Sequence, residues 1–299
     1  MIPRSTPVLG SAATAAPIVK ALATAPGTPW VVAGWDDGQV AVMDPAFQRE
    51  YTLNPPADLP GDAGRSVLSI TFDLVGEHFA VAFGDRVVGY LAGQPTVKWE
   101  FFPRRFFALW RATPLAVVAT PVGFVVSMST GQMVRLDAES GEVLAERHDD
   151  ESPHSCALLA DGTVYGTDGW HLQQWDPFTL NQLAAHDSVG RQYHLATDRA
   201  GRWLAIREEM NLNVYDAALQ PVREIPVQAG PPILAVLSDG IVSAHDEVLV
   251  KTPWQGAPLR VQLPGPASTL HAGAQDSVWV GLRSGQLMKF SADAWLPSL

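Results

Sequence analysis

The 299-residue chain keeps returning to one short unit, and a fixed period of this kind limits the possible folds more than any single residue does. The unit is an apolar strand, a tight turn and a second strand that ends in aspartate. Its first copy runs Trp30-Val31-Val32-Ala33-Gly34, then Trp35-Asp36-Asp37-Gly38, then Gln39-Val40-Ala41-Val42-Met43-Asp44. Phe124 to Asp137 and Val278 to Phe290 repeat that order, and all these copies leave the turn through a Gly-Gln pair. Looser copies run through Phe79 to Tyr90, Val164 to Asp176, Trp203 to Asp216 and Ile241 to Lys251. An apolar run precedes the unit at Ile18 to Ala23, Val67 to Phe72, Leu115 to Ala119, Cys156 to Leu159, Ile233 to Leu237 and Leu270 to Ala272, and another run follows it.

Four short runs per copy, punctuated by Gly, Asp and Pro, describe an antiparallel meander, and no stretch holds the 3.6-residue apolar period of a helix. Seven copies in 299 residues allow about 43 residues each, within the ~40 to 45 of a four-stranded propeller blade. Asp137, Asp176 and Asp216 keep that beat at intervals of about 40 residues. The longer interval from Asp44 to Asp137 holds two blades, with its surplus in Asn54 to Arg65 and Phe101 to Thr113. A lone twisted sheet would leave two apolar faces wet, so the sheets must stack, and a ring lets each cover the next. The expected fold is therefore all-β: a seven-bladed β-propeller of four-stranded antiparallel blades, one domain over residues 1–299. Composition agrees, because 47% hydrophobic residues fill a core while 25 Gly and 24 Pro are too many for a helical bundle. The last blade lacks an evident outer strand, since Ala294 to Leu299 is short and holds Pro297. The N-terminal segment 1–16, around Ser5 to Leu9, is expected to pair there at an edge, where Pro7 is tolerated.

The unit resembles the WD-repeat and pyrroloquinoline-quinone-type propeller repeats, the latter most clearly at Gln132-Met133-Val134-Arg135-Leu136-Asp137-Ala138-Glu139-Ser140-Gly141-Glu142-Val143-Leu144. The resemblance spans nearly all the chain and implies a rigid ring that presents loops to partners. The chain departs from the WD pattern in having one well-placed Trp-Asp pair, Trp175-Asp176, and no Gly-His dipeptide. Propeller lactonases and quinone-dependent dehydrogenases are similar to it only at the repeat. The chain is shorter than a full quinoprotein and lacks the adjacent cysteine pair of that family, and a lactonase would need several acids and an Asn converging on a channel whose inner runs here are mostly apolar.

Residues that could carry chemistry have plainer readings. Cys156, the only cysteine, excludes an intrachain disulfide and a thiolate cluster, and within Ser155-Cys156-Ala157-Leu158-Leu159 it reads as a small buried thiol. His148-Asp149-Asp150-Glu151 and His245-Asp246-Glu247 gather metal-ligating types, but neighbours in an extended strand point to opposite faces and neither group has a second histidine at a useful spacing. Asp36-Asp37-Gly38 lacks the later ligands of a calcium loop. Neither a Gly-x-Ser-x-Gly elbow nor a phosphate-cradling loop with lysine occurs. No catalytic residue, metal or cofactor is expected. Trp30, Trp203 and Trp279, with Phe79 and Phe124 in the same place, read as packing at the start of an inner strand, and Asp44, Asp137, Asp176 and Asp216 read as turn anchors.

Two features point to a protein partner. In a propeller the turns between second and third strands emerge on one face, beside the connections between blades. That face would collect Trp35, Asp36, Asp37, Arg86, Trp170 and His171, with Glu208, Glu209, Met210, Asp246, Glu247 and Arg283. Trp35 and Trp170 stand at turns, where packing between sheets accounts for them less well than it does for Trp30. The second feature is the segment from Phe101 to Arg111, which breaks the repeat and joins Arg104, Arg105, Phe106, Phe107 and Trp110, residue types that dominate interface hot spots. Its plainer reading is the outer strand of one blade and the inner strand of the next. Twenty basic against 31 acidic residues give a net charge of -11, which opposes phosphate backbones and anionic lipid, so neither nucleic acid nor membrane insertion is expected. Pro3, Pro7 and Gly10 interrupt any leader-like block, and the expected setting is cytoplasmic. The expected function is a non-enzymatic scaffold, monomeric on its own, that binds another protein through its loop face. The alternative is a lactonase-like, small-ligand or metal-dependent hydrolase working in the central channel.

Overall fold

The computed structural model describes residues 16–28, 30–44, 49–53, 64–103, 105–106, 110–148, 153, 155–187, 194–208, 211–227 and 233–295, with the backbone alone at 49, 50, 105, 106, 110, 111 and 187. Short apolar runs between tight turns pair with their sequence neighbours, because a turn of a few residues leaves only an antiparallel partner within reach. Blade 1 is β1 (Val19–Thr24), β2 (Val31–Trp35), β3 (Val40–Met43) and β4 (Arg49–Leu53). Blade 2 is β5 (Val67–Phe72), β6 (His78–Phe83), β7 (Val87–Leu91) and β8 (Val97–Phe101). A separate ribbon, β9 (Arg105–Phe106) with β10 (Trp110–Arg111), interrupts the path to blade 3, which is β11 (Pro114–Thr120), β12 (Gly123–Met128), β13 (Gln132–Leu136) and β14 (Val143–His148). Blade 4 is β15 (Ser155–Leu158), β16 (Val164–Thr167), β17 (His171–Trp175) and β18 (Gln182–Asp187), and blade 5 is β19 (His194–Thr197), β20 (Trp203–Arg207), β21 (Asn211–Asp216) and β22 (Pro221–Pro226). Blade 6 is β23 (Ile233–Leu237), β24 (Gly240–His245), β25 (Val248–Pro253) and β26 (Leu259–Gln262). Blade 7 shows β27 (Ala267–Ala272), β28 (Val278–Leu282) and β29 (Leu287–Phe290). The expected closing strand around Ser5 to Leu9 lies outside the described residues.

The first strand of every blade is innermost. These strands touch in the order β1, β5, β11, β15, β19, β23, β27 and back to β1, a closed circle. The chain is thus an all-β, seven-bladed β-propeller, as its repeat requires. Its core is divided to match: each buried apolar cluster joins one blade to the next, from Val32, Val42, Phe79 and Tyr90 between blades 1 and 2 to Val19, Trp35, Ala41 and Trp279 between blades 7 and 1. Both faces of each sheet are apolar because both are covered by neighbours. Near the channel the blades converge, and small residues admit the next blade. A Cβ on Gly34 would lie 2.4 Å from Val67 Cγ1, and one on Gly281, the equivalent position of blade 7, 2.6 Å from Val19 Cγ1.

The inner strands expose backbone groups toward the channel, and three of them borrow acceptors from the preceding blade. Ser69 Oγ accepts from Val117 N at 3.3 Å, Ser155 Oγ from Leu195 N at 3.1 Å, and His271 Nε2 from Thr24 N at 3.2 Å. A donor facing a narrow channel is thereby satisfied without a further strand.

The repeated aromatic rings pack as expected: Phe79, Phe124 and Trp279 are buried and Trp30 and Trp203 partly so. They belong, however, to the strand second from the channel or its approach, not to the innermost one. The repeated aspartates fold the turns into the outer strands. Asp137 Oδ1 accepts from Glu139 N at 3.0 Å and Ser140 N at 2.8 Å, and Asp176 Oδ1 from Phe178 N at 2.9 Å and Thr179 N at 2.7 Å. Asp216 Oδ1 does the same for Ala218 N and Gln220 N, both at 2.9 Å.

Candidate functional site

One end of the ring gathers the turns between second and third strands together with the connections between blades, and backbone hydrogen bonds tie the two sets. Asp36 N donates to Ile18 O at 3.0 Å, Ser129 N to Thr113 O at 2.8 Å and Arg283 N to Pro266 O at 2.9 Å. This connection face is where the sequence puts its candidate residues, and they separate into props and displayed groups.

Trp35 is a prop, which corrects the expectation that it is exposed. As the last residue of β2 it is 7% exposed, packed at the junction of blades 7 and 1, and its Nε1 donates to Gly285 O at 3.3 Å. Its turn position in sequence hides the fact that the neighbouring blade's turn folds over it. Arg86 is likewise internal. At 3% exposure it bonds Asp85 Oδ1 through Nε at 3.1 Å and Glu100 Oε2 through Nη1 at 2.9 Å, and its guanidinium lies 4.5 Å from the centre of the Phe102 ring. Two acids and one aromatic ring around one cation leave it no role as a surface contact, but they fix the stem of the ribbon that follows Phe102. Asp36 Oδ1 accepts from Ile18 N at 2.8 Å and so holds the entry to β1.

Trp170 is displayed. It stands 61% exposed at the tip of the turn between β16 and β17. Asp168 orders that turn: its Oδ1 accepts from Trp170 N at 2.7 Å and His171 N at 2.8 Å, and its Oδ2 pairs with His171 Nδ1 at 2.8 Å. Gly169, at φ 103°, supplies the backbone conformation that the turn needs. His171 therefore positions the turn. Around the ring Asp37, Asp246, Glu247 and Arg283 are exposed on the same face, and Glu208 is half-buried. Arg104, Phe107, Glu209 and Met210 lie outside the described residues, as do the side chains of Arg105, Phe106 and Trp110. The backbone of the last three forms the β9–β10 ribbon, with Phe106 opposite Trp110, so these residues belong neither to the outer strand of blade 2 nor to the inner strand of blade 3, whereas Phe101 at the segment's start ends the outer strand β8.

At the other end of the ring a contact crosses the channel that no sequence motif marks. Arg199, in the turn between β19 and β20, donates from Nη2 to Ala25 O at 3.0 Å, joining blade 5 to blade 1. These blades are not neighbours, so the side chain lies across the mouth of the channel, beside His271. Burial, and secondarily the Arg199 charge, hold His271 at about 4, and burial holds His194 at about 4. On the connection face a cleft between blades 5 and 6, lined by Arg207, Leu212, Ile233, Ser243 and His245, has a volume of about 10 Å³, room for about one water. Burial, followed by the Arg207 charge, lowers the pKa of His245 there. Burial pushes the Cys156 thiol up to about 12, so it is a poor nucleophile at neutral pH. Among the described residues no group of three or more His, Cys, Asp or Glu is placed to hold a metal ion, and no helix is long and apolar enough to cross a membrane. Neither a known protein-family profile nor a curated protein matches the sequence.

Proposed function

We propose that this propeller is a non-enzymatic scaffold that binds another protein through its connection face, with Trp170 as the anchor. One observation carries the reading: a largely exposed indole held on a turn whose backbone is already fixed by Asp168. Association normally spends free energy on ordering loops, and a turn fixed in advance avoids that loss. An indole seated in an apolar pocket is among the strongest single contributors to an interface. The partner suited to this face offers such a pocket with a basic rim, because Asp37, Asp246 and Glu247 are exposed elsewhere on the same face and Arg86 is already neutralised. The repeat itself fits best with the pyrroloquinoline-quinone-type unit, by the Asp137-to-Gly141 turn, and in this chain it serves as architecture.

Affinity capture from the native cell with the wild-type chain and with Trp170→Ala tests the reading. The expected result is a protein retained by the first and lost, by at least ~10-fold, with the second, at unchanged melting temperature. Equal retention by both chains, or a loss that tracks unfolding, contradicts it.

A further inference from the structure

On the face opposite the connections, the seam between blades 2 and 3 holds a line of ionisable groups. Asp73, in the turn between β5 and β6, is buried, and its Oδ1 accepts from Gly76 N at 2.6 Å and Glu77 N at 2.9 Å. Its Oδ2 pairs with His78 Nδ1 at 3.0 Å, and His78 Nε2 lies 3.3 Å from Lys98 Nζ. A carboxylate only accepts, so Nδ1 carries the ring proton and Nε2 turns its lone pair to the ammonium. A bulge puts Lys98 there. Val97 pairs with Tyr90 and Trp99 with Gly89, which leaves Lys98 as the unmatched residue of β8. The same bulge in β14, β18 and β22 carries the apolar Leu144, Leu183 and Val222. Glu139 stands 3.6 Å from the ammonium, on the turn of blade 3 that Trp99 Nε1 holds through Ala138 O at 3.0 Å. Its side chain is 79% exposed, so solvent screens that pair.

We infer that Lys98 is an acylation site whose donors are small acyl thioesters, with His78 as the base and Asp73 as the residue that orients it. An acid, an imidazole and a nucleophile in line, each at hydrogen-bond distance, is the arrangement that activates a nucleophile, here an amine. The ammonium passes one proton to His78 Nε2, leaving an imidazolium paired with Asp73. The amine then attacks the thioester carbonyl carbon, and the C–S bond breaks. The departing thiolate takes the His78 proton, and the surplus proton on the new amide nitrogen goes to water. A single activated amine suits a donor whose carbonyl is already reactive, and an uncharged thioester is not repelled by a chain carrying -11. Acylation removes the Lys98 charge from its pair with Glu139 and leaves the connection face, at the other end of the ring, untouched.

Incubation of the full chain with S-acetyl-N-acetylcysteamine, an uncharged acetyl thioester, tests this when acetylation of each lysine is timed by mass spectrometry. Exposed Lys20 is the internal standard. Lys98 should react at least ~10-fold faster than Lys20. His78→Gln should bring Lys98 down to the Lys20 rate, and Glu139→Gln should leave it as fast or faster. If His78→Gln loses its β-sheet circular dichroism, Asp73→Asn is the second variant. It keeps an oxygen for the Gly76 and Glu77 amides but removes the carboxylate that fixes the His78 tautomer, so the same slowing is expected. Lys98 reacting no faster than Lys20, a rate unchanged by the folded variant, or an equal slowing in Glu139→Gln overturns the inference.

Discussion

Two half-buried histidines should make the ring sensitive to acid. His271 and His194 are held at about 4, against an ordinary value near 6.5. The unfolded chain therefore takes up protons between pH 6.5 and 4 that the folded chain refuses. Stability is fully present above pH 6.5 and falls as the pH drops toward 4, below which both states are protonated and the loss is complete. The drop from 6.5 to about 4 corresponds to at most ~3.4 kcal/mol per histidine, a ceiling because both residues keep some contact with solvent. For His271 the structural reason is specific: Nε2 accepts from Thr24 N at 3.2 Å across the seam where blade 7 meets blade 1, and a proton there would leave that N–H without an acceptor beside the Arg199 charge. Calorimetric melting of the wild type and of His194→Gln with His271→Gln, from pH 7 to pH 4, tests the reasoning. A Gln oxygen keeps an acceptor near Nε2 but does not titrate. The wild type should lose roughly 5 to 10 °C more than the variant over that range. Parallel curves would refute it.

Arg86→Ala should destabilise the fold by about 3 to 5 kcal/mol, because it leaves Asp85 and Glu100 without their cation, and a shift of the denaturant midpoint worth under ~1 kcal/mol would contradict the buried placement of Arg86. Gly281→Val should weaken the junction of blades 7 and 1 by about 1 to 3 kcal/mol, since its Cβ would meet Val19 Cγ1 at 2.6 Å. Gly265→Ala, which meets nothing within 4 Å, should stay within ~0.5 kcal/mol in the same urea titration, and equal effects would remove the crowding argument.

The architecture was legible because period and burial coincide: each blade needs the next, so its apolar runs recur at a fixed interval. The anchoring aspartates were legible for a related reason, since Asp137, Asp176 and Asp216 solve the same turn problem three times. Strand β19 was missed because His194-Leu195-Ala196-Thr197 buries only Leu195 fully, leaving no apolar run to find. Trp35 misled because its cover, the turn at Gly285, comes from the far end of the chain, and no local pattern records a contact made by ring closure. Arg86 misled because Glu100, 14 residues further on, reaches it from the adjacent strand β8 of the same blade. Trp170 was read correctly as exposed, and its supporting Asp168 stood only two residues before it.

Hydrogen exchange on the purified chain, alone and within its native complex, measures most directly which face the partner covers. The account predicts slowed exchange in the turn from Asp168 to His171 and in the turns holding Asp37 and Arg283, with the opposite end of the ring unchanged. Protection confined to that opposite end, at Leu74 to Glu77 and Arg199 to Arg202, would contradict it.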